Sequence, residues 1–167
     1  HLLQFPQLTI DKRNIDLIIE KIDKDITIAF ANQENTLQSH SSYYIEYLRM
    51  RKVQCTEFLH IYREITSLGK YEIEAIAEQT DLIVGILNNS AKCISMIHDP
   101  ARMLSEIIIA EKKLDECSLP KTKITFKTRF TLYHLLGELK ENELLKKTFI
   151  ESLTEEQKQL YLKNKTS

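Results

Sequence analysis

The stretch SSYYIEYLRMRKVQCTEFLHIYREITSLG, residues 41–69, decides how this chain is read. Tyr44, Leu48, Arg51, Cys55, Phe58, Tyr62 and Ile65 recur in it at alternating steps of four and three, the spacing that gathers side chains on one face of an α-helix. Ser41 or Ser42 can cap its start, because a serine oxygen accepts from the free amides of a first turn, and Gly69 ends it. A strand would alternate with period two, and no segment of the chain does so.

The same spacing extends outward in both directions. From about Asp11 to Asn35, Ile15, Ile18, Ile19, Ile22, Ile26, Ala29 and Phe30 predict a first helix, with Thr9 or Asp11 as its cap. A third runs from about Tyr71 to Ile97, with Ile73, Ile76, Thr80, Ile83, Leu87, Ile94 and Ile97 on one face. Asp99 and Pro100 open a fourth, whose apolar side is Leu104, Ile107, Ile108 and Leu114 and which Pro120 closes. A fifth begins near Thr122 and is lined by Phe126, Phe130, Tyr133, Leu136 and Leu139. Thr154-Glu155-Glu156-Gln157 has the pattern of a capping box for a short sixth, and KNKTS is a frayed tail.

Helices striped in this way and joined by short connections bury their stripes against one another. The predicted fold is therefore all-α: an elongated antiparallel up-and-down helical bundle of the four-helix type. The second and third helices, at ~1.5 Å per residue, would each reach roughly 40 Å. The bundle occupies residues 11–150 and residues 151–167 hold the C-terminal helix and tail.

Composition narrows the function. The 167 residues suffice for one domain with a core. With 43% hydrophobic and 28% charged residues but three Gly and three Pro, the profile is that of long regular elements. A formal net charge of −1 lacks the positive field that nucleic-acid binding requires, so no nucleic-acid partner is expected. Cys55, Cys93 and Cys117 are widely spaced and form no CxxC pair, which fits a reducing compartment. The longest charge-free apolar run, LIVGILNNSA at 82–91, is about half of the ~20 residues that span a bilayer. The chain starts at His1 and HLLQFPQLTI has no signal-peptide pattern, so the expectation is a piece of something longer.

Chemical motifs are sparse. Glu57-Phe58-Leu59-His60 is a Glu-x-x-His, and helical bundles hold di-metal centres with two such motifs and further glutamates. No second copy exists, so a solvated Glu and His on a helix side is the preferred reading, and Cys93 with His98 reads the same way. No metal and no cofactor are expected. Without a phosphate loop, a nucleophile elbow or a nucleophile within reach of a base, no catalytic residues and no enzyme activity are expected either.

The tyrosine and arginine cluster is the most pointed feature. Tyr43, Tyr47 and Arg51 follow at i, i+4, so the guanidinium can lie over a ring while its head seeks an acceptor. An inward arginine demands a partner, since a buried unpaired guanidinium is costly. Glu34, Glu138 or backbone carbonyls at a helix end are the candidates. The cluster is either a tie between helices or a site in which Arg51 grips a ligand's carboxylate between tyrosines.

The order Glu34-Asn35, then Tyr43-Tyr44-Ile45-Glu46-Tyr47-Leu48-Arg49-Met50-Arg51 with Gln54, then Leu119-Pro120-Lys121-Thr122 with Phe126 and Arg129, resembles the C-terminal domain of the bacterial aromatic acid exporter family over nearly the whole chain. The first motif is close to that family's YYxEYxxMRxxQ-like helix. In the second, Lys123 stands where the family has arginine, and Ile124, Thr125 and Lys127 replace positions that are usually acidic.

The resemblance implies a membrane half preceding this domain, residues 1–10 as the linker from it, and a place on the cytoplasmic side of the cell membrane. Lys12 and Arg13 agree with a segment just inside the membrane. It implies as site residues Tyr43, Tyr44, Tyr47, Arg51, Gln54, Phe126 and Arg129, either as inter-helix ties or as contacts to an aromatic carboxylate. Transport belongs to the membrane half. The domain is then a structural, regulatory or assembly module, with a homo-oligomer as a partner state; the alternatives are a sensor of an aromatic carboxylate and a free-standing helical adaptor.

Overall fold

The computed structural model describes residues 12–33, 39–67, 77–92 and 99–162. Among them are six helices and no strand: α1 (Lys12–Gln33), α2 (Ser39–Ser67), α3 (Ala77–Lys92), α4 (Pro100–Glu116), α5 (Lys123–Ser152) and α6 (Glu155–Leu162). The chain is an all-α helical bundle, as its periodicity predicts. Expected helical residues at 71–76 and 93–97, the Thr9 and Asp11 caps, Gly69 and the KNKTS tail lie outside the described residues.

Two compact units divide the chain, His1–Leu59 and His60–Ser167. In the first, α1 and the N-terminal part of α2 run antiparallel, because residue numbers rise on one helix as they fall on the other. Lys52 Nζ donates to Asp23 at 2.6 Å, and the Arg49 guanidinium lies 5.3 Å from the centre of the Phe30 ring. Ile15 and Ile22 are buried on α1, whereas Ile18 and Phe30 of the expected stripe are half exposed.

The buried face of α2 is not the predicted stripe. Tyr43, Ile45, Met50, Gln54, Leu59 and Ile61 are the buried positions, and Tyr44 is 51% exposed. One residue turns a helix by about 100°. The buried positions fall one residue to either side of the expected ones, so spacing alone did not choose them.

The second unit is organised on the α4–α5 hairpin. Asp99 caps α4 by accepting from the Ala101 amide at 2.9 Å, and Pro100 occupies the first turn, where no amide is needed. Thr122 caps α5 in a reciprocal box with Thr125. The Thr154–Gln157 box likewise starts α6, with bonds of 3.0 and 3.2 Å. Along the hairpin the rungs are Arg129 to the Cys117 carbonyl, Tyr133 to Asp115 and Lys140 to Glu111, an antiparallel order.

Met103, Ile107, Ala110 and Leu114 of α4 are buried, as are Leu132, Leu135, Leu136 and Leu139 of α5. Thr80, Ile83 and Ile86 of α3 are buried too, and α3 packs on both α4 and α5. Two sequence expectations fail here. Ile108, expected in the α4 core, is 43% exposed, and Phe126 and Phe130, expected in the α5 core, are 63% and 64% exposed. The reason is phase. At about 100° per residue, Phe126, Phe130 and Tyr133 fall nearly opposite Leu135 and Leu139. The helix therefore carries two apolar stripes, and the four leucines, which match α4, take the core.

Tyr133 donates to Asp115 Oδ1 at 2.6 Å. Burial first, then this bond and the aspartate's negative charge, push its phenol from 10.0 up to about 12. A raised pKa means that the folded chain holds the proton more tightly than the unfolded chain. The resulting stability is complete below the unfolded value and is lost as pH rises through the folded one. In urea titrations from pH 9 to pH 12, which bracket those values, wild type should lose stability more steeply than Tyr133→Phe. At neutral pH, Ile107→Ala, at a position with no exposure, should cost about 2–5 kcal/mol. Phe126→Ser should cost about 0.5 kcal/mol or less.

Candidate functional site

Five of the seven expected site residues come together on about three turns of α2. Tyr43 and Tyr47 stack, with ring centres 6.1 Å apart and planes within 10°, and Tyr44 meets Tyr43 edge-on at 5.5 Å. The Arg51 guanidinium lies 5.1 Å from the Tyr47 ring centre. Its Nε donates to the Tyr47 hydroxyl at 3.0 Å and its Nη1 donates to Gln54 Oε1 at 2.9 Å. Helical spacing makes all of this possible, since residues 43, 47, 51 and 54 succeed one another by three or four.

Arg51 thus finds acceptors within its own helix. The two carboxylates considered for it fare differently: Glu34 lies outside the described residues, and Glu138 belongs to the second unit, 3.9 Å from His134. Gln54, 5% exposed, is the buried polar end of the chain of contacts and holds the fork in place. One turn on from Arg51, burial pushes the Cys55 thiol up, while the nearby positive charge of Arg51 pulls it down by less. A thiol pushed in that direction is a weaker nucleophile than a free one.

The ties between α1 and α2 come from residues outside the expected site, Arg49 over Phe30, which was expected on the apolar stripe of α1, and Lys52 to Asp23. They flank the buried stripe, where a long side chain lays its stem along the seam and keeps its charge in water. Their sequence signal was position beside the stripe.

The other two expected residues, Phe126 and Arg129, sit at the start of α5 in the second unit. Arg129 Nη1 donates to the Cys117 carbonyl at 3.4 Å, across the turn between α4 and α5, so it closes that turn. Its buried Nε meets no hydrogen-bond acceptor among the described residues. Phe126 is on the outer stripe, followed one turn later by Phe130. An open groove continues from there along α5, lined by Phe130, Tyr133, His134, Gly137, Glu138 and Glu141. His134 faces two carboxylates in it, Glu64 at 3.7 Å and Glu138 at 3.9 Å. The tyrosine–arginine stack is thus rigid and satisfied, and the α5 groove is open and acidic.

Among the described residues, no helix is long and apolar enough to cross a membrane. The chain is 23% identical over 122 residues to the uncharacterized protein YqjA of Bacillus subtilis; the alignment takes in 73% of this chain and 36% of that protein. The chain thus spans about a third of that relative's length. No solved structure matches it. Residues 3–147 match the family described as "Putative aromatic acid exporter C-terminal domain", a span that includes both the Tyr43–Gln54 helix and the Leu119–Arg129 entry to α5, and the chain belongs to that family.

Proposed function

We propose that this chain is the non-catalytic assembly module of an exporter of aromatic acids, carried on the cytoplasmic side of the bacterial membrane by a membrane half that precedes it. The family supports the exporter context. The observation that carries the assembly role is the exposed apolar surface at the start of α5: Phe126 and Phe130, one turn apart on one face, are 63% and 64% exposed, and Leu119 just before the helix is 86% exposed. A row of large apolar side chains in water is stabilised by covering it with another surface.

Charge supports a neighbouring protomer as the cover. Lys121, Lys123 and Lys127 are interleaved with the apolar residues, and no acidic residue occurs between Cys117 and Gly137. A second copy that covers this face needs carboxylates opposite these lysines, and the chain carries exposed ones, Glu156 among them.

The sensor reading needs Arg51 to meet a ligand's carboxylate. Its guanidinium already donates to Tyr47 and Gln54, and the α5 groove presents Glu138 and Glu141, which repel an anion. A structural role for Arg51 is the better supported of the two.

Sedimentation velocity over a range of concentrations tests assembly. Wild type should self-associate, and Phe126→Ser with Phe130→Ser should sediment as a monomer with unchanged helical circular dichroism. A wild-type chain that is monomeric throughout would sink the assembly role. Titration with benzoate, followed by tyrosine fluorescence, should give no saturable response at millimolar ligand. Arg51→Ala should lower stability by about 1 kcal/mol, the loss of its hydrogen bonds. A saturable response that this substitution abolishes would establish the sensor instead.

A further inference from the structure

Two glutamates and two histidines outside the expected site residues come together in the second unit. On α2 the sequence His60-Ile61-Tyr62-Arg63-Glu64 places a histidine and a glutamate one turn apart, and on α5 the sequence His134-Leu135-Leu136-Gly137-Glu138 does the same. Residues i and i+4 share a helix face, so each helix offers a two-donor edge. The fold brings the edges together in opposed order. His134 Nδ1 is 3.7 Å from Glu64 Oε1 and 3.9 Å from Glu138 Oε1, and ligand atoms of His60 and Glu138 lie within 4.8 Å of each other.

We propose that His60, Glu64, His134 and Glu138 bind one divalent transition-metal ion of the zinc class. Distances of 3.7 and 3.9 Å are too long for hydrogen bonds, so the imidazole is not simply bonded to either carboxylate. Donors ~2.1 Å from a tetrahedral ion stand about 3.4 Å from one another, and small side-chain rotations bring His134 to that distance from both carboxylates. Such rotations are available: the side chain of His134 is 49% exposed, that of Glu64 34% and that of Glu138 19%.

The donor set selects the ion. Two neutral imidazoles and two carboxylates supply two negative charges to a dication, and mixed nitrogen and oxygen donors favour zinc, cobalt or nickel over magnesium or calcium. Gly137 leaves the groove beside His134 and Glu138 without a side chain over it, which opens a path from water. A search for repeated Glu-x-x-His misses this set, because the partner motif on α5 is His-x-x-x-Glu and becomes a partner only once α5 lies beside the end of α2. The inference is independent of the exporter reading, since it concerns an ion and not the transported compound.

Isothermal titration of the chain with zinc chloride tests it, with visible absorption on cobalt(II) loading as a report of coordination. Wild type should bind one zinc ion per chain at micromolar affinity or better, and its cobalt form should show the intense absorption of a tetrahedral site. His60→Ala and His134→Ala should each weaken binding by about 100-fold or more. Glu141→Gln in the same groove and Cys117→Ser should leave it unchanged. If His134→Ala loses helical circular dichroism, the near-isosteric Glu138→Gln serves in its place with the same expected loss. Absence of zinc binding, or binding that the histidine and Glu138 substitutions leave intact, would overturn the proposal.

Discussion

The seam between α4 and α5 is the constraint on which the second unit depends. Ile107, Ala110 and Leu114 of α4 form an apolar strip that is almost wholly removed from water. Leu132, Leu135, Leu136 and Leu139 bury themselves in return. Each such side chain removed from water contributes about 1.5–3 kcal/mol, more than any exposed ion pair in the molecule can offer. The phase of α5 about its own axis follows from this seam, and with it everything that α5 displays elsewhere.

That phase decides the two surface features with functional content. With the leucines inward, Phe126 and Phe130 must face water, and His134 and Glu138 must lie along one edge of the helix. Polar rungs refine the result. Arg129 at the turn, Tyr133 on Asp115 and Lys140 on Glu111 hold the antiparallel register, so a slip of the hairpin would break all three together. The buried threonines of α5 satisfy themselves locally, Thr128 on the Ile124 carbonyl and Thr131 on that of Lys127, and ask nothing of neighbouring helices.

In the first unit the same division of labour appears with different residues. Tyr43, Tyr47, Arg51 and Gln54 form a line of contacts along a single helix, which stiffens α2. Cross-helix attachment falls to Arg49 and Lys52, at the edges of the seam. The family's signature helix thus combines an internal brace with flanking ties. Its conspicuous arginine belongs to the brace.

Much of the architecture was legible in the sequence, because helix formation and capping are local. Spacings of three and four, Asp99 before Pro100, Thr122 before α5 and the Thr154–Gln157 box each act within a turn or two, and each is where the spacing and cap chemistry place it. The motif of Tyr43 to Gln54 likewise named a real cluster, since its contacts join residues three and four apart. Burial is a different matter. The sequence offered two apolar stripes on α5, and on α2 a stripe whose neighbours to either side are the residues that are buried, so the choice required the partner surface. The same holds for His60, Glu64, His134 and Glu138, which are unremarkable as separate pairs. Local spacing determined which helices exist and cap chemistry where the last three start, although α2 begins at Ser39, ahead of the expected Ser41 or Ser42 cap; only the packing of one helix on another decided which face each turns to water, because burial is a property of pairs of surfaces.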